Sequence, residues 1–164
     1  MKSSQPISIL FICHGNICRS PMAEFIMNHL IHEAGLDGQI IAKSAATSRE
    51  EIGSDIHHGT RQMLRQHNIP FRPRQARQVT ITDYYHYDYL IVMDENNLRN
   101  LRRIIPDDDA NKIHKLLSFT DSNRDIADPW YTGDFDTTFR EIMEGCKDLL
   151  QFFIHNAQFF HVKQ

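Results

Sequence analysis

A cysteine and an arginine six positions apart, Cys13 and Arg19, stand where an apolar run gives way to a helical pattern, and that junction narrows the folds open to the chain. Ile7, Ile9, Leu10, Phe11 and Ile12 make a short, nearly continuous apolar stretch, the pattern of a strand buried on both faces of a parallel sheet. Pro21, followed by Met22, Ile26 and Leu30, opens a helix directly after it. The turn between them, Cys13-His-Gly-Asn-Ile-Cys-Arg-Ser20, is a phosphate cradle by its chemistry. Backbone N–H groups, the helix N-terminus and the Arg19 guanidinium converge on one anion. A thiol in such a field ionises well below its free pKa of about 8.5. A thiolate facing a phosphate attacks phosphorus, and the product is a cysteinyl-phosphate whose oxygens Arg19 and the amides hold through the transition state.

Two other readings of the junction are weaker. A lone cysteine closing a strand is usually a small apolar core residue, but this one is followed by Gly15, Asn16, Arg19 and Ser20 within a single turn. A nucleotide cradle needs G-x-G-x-x-G or G-x-x-x-x-G-K-[ST], and neither is present around residues 13–21.

With those residues in view, the chain resembles the low-molecular-weight protein tyrosine phosphatases, whose signature loop is close to Cys-x-Gly-Asn-x-Cys-Arg-Ser-Pro. The likeness continues through Ser44-Ala-Ala-Thr-Ser48, Ala76-Arg-Gln78, Met93-Asp-Glu-Asn-Asn97 and Asp128-Pro-Trp-Tyr131. It implies hydrolysis of phosphotyrosine monoesters on protein substrates, with inorganic phosphate as product and no cofactor. It also implies Cys13 as nucleophile, Arg19 as phosphate clamp, and His14, Gly15, Asn16, Ile17, Cys18 and Ser20 as the rest of the phosphate-binding loop. His14 contributes its backbone N–H, and its ring is given no role.

A departing phenolate needs a proton donor near its oxygen. Asp128 lies in a loop marked by Pro129 and Gly133, with Trp130 and Tyr131 available to line an aromatic pocket. By composition an Asp-Pro pair is more often a turn initiator; the resemblance makes Asp128 the general acid, with Asp94 the next carboxylate to test. Three positions depart from the family pattern. Arg74 stands where vertebrate members carry a loop-supporting histidine, and Glu50 where they commonly carry an aromatic crevice wall, which makes Glu50 a substrate-pocket residue. Ile17 replaces the threonine of the arginine-phosphatase branch, which weighs against phosphoarginine.

At 164 residues the chain suits one domain, expected over residues 7–160 with tails at 1–6 and 161–164. Its net charge of -3 argues against nucleic acid as a partner. Three cysteines are not a disulfide framework. The first apolar run lacks the flanks of a signal peptide and no run approaches the length of a membrane span, so the expected location is cytoplasmic. The ten histidines are scattered, and the adjacent His57 and His58 cannot face one metal from a helix, so no metal site is expected.

Strands alternate with helices, the pattern of a single-domain three-layer α/β/α fold. Resemblance and pattern together give a central four-stranded parallel sheet. Strands are expected at 39–45, 89–93 and 113–117 besides the first, and helices at 21–34, 56–67, 95–104 and 137–154. In the last helix Phe139, Ile142, Met143, Cys146, Leu149, Leu150 and Phe153 share one face, which makes Cys146 a core residue.

Two rival functions follow from the same loop. A thioredoxin-coupled arsenate reductase needs two further relay cysteines, and residues 19–145 contain none. A phosphate-sensing or phosphocarrier module needs no general acid, and the intact Asp128 loop argues against it. Cys18, five residues after Cys13, predicts a reversible disulfide that protects an oxidised nucleophile.

Overall fold

A computed structural model describes residues 5–156; residues 1–4 and 161–164 of the expected tails, and the expected domain end at 157–160, lie outside the described residues. The strands are β1 (Ile7–Cys13), β2 (Ile40–Ala46), β3 (Tyr89–Val92) and β4 (Ile113–Lys115). The helices are α1 (Arg19–Glu33), α2 (His58–Gln66), α3 (Ile81–His86), α4 (Glu95–Ile104), α5 (Pro129–Thr132) and α6 (Phe135–His155). The strands form one parallel sheet in the order β2-β1-β3-β4. The expected architecture is therefore the observed one.

Because side chains alternate across a strand, β1 feeds two cores. Ile9, Phe11 and Cys13 point to the layer filled by Met22 and Ile26 of α1, Leu64 of α2, and Ile142, Leu149 and Phe153 of α6. Leu10 and Ile12 point to the other, with Leu90, Val92, Tyr84, Leu101 and Ile105. Both faces of the sheet are covered, which is why its strands carry so few polar residues.

The register aligns the strand ends that matter. Cys13 pairs with Ala46, Ile12 with Val92, and Val92 with Lys115. All four strands thus leave the sheet at its carboxyl end, the usual location of ligand sites in open parallel sheets.

Several boundaries differ from expectation for local reasons. Helix α1 begins at Arg19 rather than 21, which places Pro21 inside the first turn where its missing N–H costs nothing. Helix α2 begins at His58, because His57 caps it with its ring. Strand β4 stops at Lys115 and a 3₁₀ turn follows over Leu116–Phe119. Leu116 and Leu117 both enter the same core, the one filled by α1 and α6, which side-chain alternation along a strand does not permit. The loop expected around 125–133 contains a single helical turn, α5, started by Asp128 and Pro129 and ended by Gly133 at φ +70°. The short helix α3, held by a Thr80–Asp83 capping box, has no counterpart in the sequence reading.

Candidate active site

The Cys13–Arg19 loop turns its carbonyls outward. Those of Cys13 and His14 accept from the N–H groups of Thr47 and Ser48 at 2.9 and 3.0 Å, and that of Ile17 accepts from His57 N–H at 2.9 Å. The Cys18 carbonyl accepts from Thr60 Oγ1 at 3.2 Å, and the Asn16 carbonyl from the Arg74 guanidinium. The N–H groups of His14 to Cys18, by contrast, donate to no protein atom among the described residues. Backbone donors left in this way on one short turn form an anion nest.

Asn16 makes the turn possible. It sits at φ +58°, a left-handed conformation that Asn tolerates better than other residues with a side chain. Its amide donates to Ser20 Oγ at 2.8 Å and to Ser44 Oγ at 2.9 Å. Ser44 in turn donates to Glu24 at 2.6 Å. Ser20 Oγ lies 3.1 Å from Cys13 Sγ, and the Ser20 N–H donates to the same sulfur at 3.4 Å. A buried polar chain therefore runs from Glu24 to the underside of the cysteine. Arg74, at the place of the family's supporting histidine, does support the loop here: it donates to the Asn16 carbonyl and to that of Ser54. Burial pulls its pKa below the usual arginine value, against Glu24, Asp55 and Cys13.

Arg19 is 2 % exposed, and one edge of its guanidinium is held by protein acceptors. Nη1 donates to Asp94 Oδ2 and to the Ile126 carbonyl, both at 2.7 Å, while Nη2 lies 3.5 Å from Asp128 Oδ2. Burial works against its charge, but Cys13, Asp94 and Asp128 together outweigh that and hold its pKa above the ordinary value. Asp94 is at once the N-cap of α4, accepting from Asn97 N–H at 2.7 Å. Its two oxygens are thus taken by Arg19 and Asn97, and it does not line the cavity that Asp128 lines. Asp128 divides its oxygens differently: Oδ1 caps α5 through Trp130 N–H at 3.0 Å, and Oδ2 faces Arg19.

Of the site residues expected from sequence, Asn16 and Ser20 lie beneath the loop, and the others line one open cavity. Trp130 and Tyr131 stand at its mouth, 59 % and 83 % exposed. Glu50 forms the facing rim, paired through Oε2 with His14 Nε2 at 3.0 Å, so the His14 ring does have a partner. Three participants were not legible as such. Glu51 joins the lining, the Ile126 carbonyl holds Arg19, and His57 packs its ring against Phe135 and edge-on to Trp130. Burial, then His58, lowers the His57 pKa, which keeps Nδ1 free to cap Gly59 N–H at 3.0 Å. Among the described residues no cluster of side chains has a metal-holding arrangement.

A thiol seated on an anion nest, with a buried arginine beside it and a carboxylate above, defines a cysteine-dependent phosphatase. The family model for low molecular weight phosphotyrosine protein phosphatases matches residues 8–158. The Bacillus subtilis low molecular weight protein-tyrosine-phosphatase YfkJ is 42 % identical over 146 residues, which are 88 % of this chain and 94 % of that one. The crystal structure of YfkJ superimposes with a TM-score of 0.88, covering 92 % and 96 % of the two chains. That of SP-PTP from Streptococcus pyogenes, 36 % identical, gives 0.79 over 88 % and 91 %. A Drosophila arginine phosphatase, 30 % identical, gives 0.80 over 88 % and 96 %. The chain belongs to the low molecular weight phosphotyrosine protein phosphatase family.

Proposed function

We propose that this enzyme hydrolyses phosphotyrosine on protein substrates through a cysteinyl-phosphate intermediate, within a catalytic domain spanning residues 7–160. The observation that carries the reading is the divided loop: outward carbonyls, unpaired inward N–H groups and Arg19 together form a receptor for the three non-bridging oxygens of a phosphate. Cys13 Sγ forms a bond to phosphorus as the bond to the tyrosyl oxygen breaks, and Asp128 passes its proton to that oxygen. Water then attacks phosphorus and gives a proton to the Asp128 carboxylate, and the sulfur leaves as thiolate with inorganic phosphate as product. The Ser20 bonds beneath Cys13 stabilise the sulfur anion both as nucleophile and as leaving group.

Trp130 and Tyr131 form the wall against which a phenyl ring packs, and Glu50 bounds the opposite side. A phosphoserine side chain is too short to use that wall. Ile17, an apolar residue lining the cavity, offers a guanidinium no partner and weighs against phosphoarginine. None of these steps requires a cofactor. No helix of the described residues is long and apolar enough to cross a membrane. The net charge of -3 argues against nucleic acid or an anionic membrane surface as the partner, and the cytoplasm is the proposed location.

The test is to separate binding from turnover. Cys13→Ser is expected to lose essentially all hydrolysis of phosphotyrosyl peptides while still binding inorganic phosphate or vanadate; Arg19→Ala is expected to lose both. Turnover by Cys13→Ser above a few per cent of wild type removes the covalent mechanism, and preferred turnover of phosphoarginine or phosphoserine removes the substrate assignment.

A further inference from the structure

Three consecutive residues at the end of β3 each hold a different part of the site. The Met93 carbonyl accepts from Ile126 N–H at 3.0 Å, Asp94 holds Arg19 at 2.7 Å, and Glu95 Oε1 lies 3.0 Å from Lys115 Nζ. Lys115 then reaches across to Asp125 Oδ1, also at 3.0 Å. Asp125 is three residues before Asp128, on the same short segment whose Ile126 carbonyl receives Arg19. The nucleophile's arginine and the acid's loop are thus hung from one tripeptide.

We propose that Lys115 is a positioning residue for Asp128: the Glu95–Lys115–Asp125 bridge fixes the acid-bearing segment at the height above Arg19 and Cys13 from which Asp128 reaches the leaving oxygen. This rests on the reading of Asp128 as the proton donor. Lys115 is only 9 % exposed and ends β4 directly beneath the segment, so the bridge is little screened by solvent on the lysine side. Burial alone disfavours its charge, but the bonds to Asp125 and Glu95 outweigh that and raise its pKa above the ordinary lysine value. The charge is kept because the bridge is made. Elsewhere the segment has softer ties. Arg124 meets Glu141 and Glu144 at the solvent-facing side, and Thr138 Oγ1 donates to the Ala127 carbonyl at 3.3 Å. Proton transfer needs the acid within hydrogen-bond reach of the oxygen, and a displacement of about 1 Å can cost on the order of a hundredfold.

The experiment is a plot of log kcat/KM against leaving-group pKa for aryl phosphates. It compares wild type with Asp128→Ala, Asp125→Asn, Lys115→Met, Lys115→Arg and the double variant Asp125→Asn/Asp128→Ala. Asp128→Ala should steepen the slope fully. Asp125→Asn and Lys115→Met should steepen it in part, with losses of about tenfold for leaving groups as basic as tyrosine and under about twofold for strongly activated ones. Lys115→Arg should restore the wild-type slope, and the double variant should be no slower than Asp128→Ala alone. Asp125→Asn leaves Glu95 on the lysine and alters a half-exposed side chain, so it reports even if Lys115→Met does not fold. A loss uniform across the series, a change in KM alone, or additive losses in the double variant overturns the positioning role. If Asp128→Ala steepens the slope and Asp125→Asn does not, the positioning role falls and the acid assignment stands. If Asp128→Ala itself keeps the wild-type slope, both fall.

Discussion

Two cysteines share the phosphate loop and differ in what surrounds the sulfur. Cys13 Sγ meets the hydroxyl and the N–H of Ser20, whereas Cys18 is buried under the turn, with its carbonyl held by Thr60. Burial, and after it the nearby Cys13 and Asp128, pushes the Cys18 thiol up to about 12. At neutral pH Cys18 is therefore a protonated thiol, a poor target for peroxide, and oxidation falls first on Cys13. A sulfenic acid formed there has a thiol within the same loop to condense with, releasing water and forming a disulfide. Peroxide-treated enzyme is expected to regain activity with a thiol reductant and to yield a Cys13–Cys18 crosslinked peptide by mass spectrometry, whereas in Cys18→Ser excess peroxide should carry the unprotected Cys13 sulfenic acid on to sulfinic acid, which a thiol does not reduce, and the variant should stay inactive. Recovery equal in both forms removes Cys18 from this role. Cys146, wholly buried on α6 with its thiol pushed up by burial, takes no part.

At the scale of elements, the walls of the substrate cavity depend on how α2 and α6 meet. Gly59, in the first turn of α2, lies under the Phe135 ring that opens α6; a Cβ added there would stand 2.5 Å from Phe135 Cζ. Phe135 stacks on His57 at 5.1 Å, and His57 meets Trp130 edge-on at 5.8 Å. Gly59→Ala gains at most about 1 kcal/mol of helix propensity, less in a first turn, while overpacking costs roughly 1–3 kcal/mol. The clash wins. The variant should melt lower by about 2–4 °C for each kcal/mol lost, and its KM for aryl phosphates should rise more than kcat falls as the Trp130 wall shifts. An unchanged melting temperature with unchanged KM contradicts this packing. The same contacts show what a sequence displays at this scale. The long helices and β1 were legible because ten or more residues, or an unbroken apolar run, repeat a period. Helices α3 and α5 span six and four residues, too few to show one, and exist through their caps at Thr80, Asp83 and Asp128. Even Arg74, visible as a departure from pattern, gave no hint that its side chain would reach the Asn16 carbonyl.

For the whole molecule, the site is the place where four strand ends meet, and each supplies one part. Strand β1 leads into the cysteine loop, β2 into Glu50 and Glu51, β3 into Asp94, and β4, through its 3₁₀ turn, into Asp128. Cys13 and Arg19 could be read together because they are neighbours in the chain. The Arg19–Asp94 and Lys115–Glu95 pairs could not, since only the strand order brings them together. A similar long-range closure ties the outer edge of the sheet to the loop and should show in stability against pH. Residues 76–83 are pinned to β2 by Ala46 N–H on the Arg77 carbonyl and Val79 N–H on the Ala46 carbonyl, both at 2.8 Å, while Arg77 N–H donates to Asn16 Oδ1 at 3.3 Å. The Arg77 guanidinium meets both Asp83 oxygens at 2.9 and 3.1 Å, and Thr80 N–H donates to Oδ2 at 2.8 Å. Burial favours the protonated acid, but the Arg77 and Thr80 bonds outweigh it, and the Asp83 pKa lies below its ordinary 3.8. A carboxyl whose folded pKa is depressed adds stability that is fully present above the unfolded pKa and is lost as pH falls through the folded one. Asp83→Asn, neutral throughout, should therefore be less stable than wild type by a constant margin between pH 7 and pH 5, on the scale set by about 3.9 for a free Asp. Below pH 3.8 the margin should shrink as the wild-type carboxylate takes up its proton. Urea unfolding of both proteins at neutral pH, near pH 5 and below 3.8 measures it. A margin that stays the same at the lowest pH would place the cost in packing and hydrogen-bond geometry rather than in the charge of Asp83.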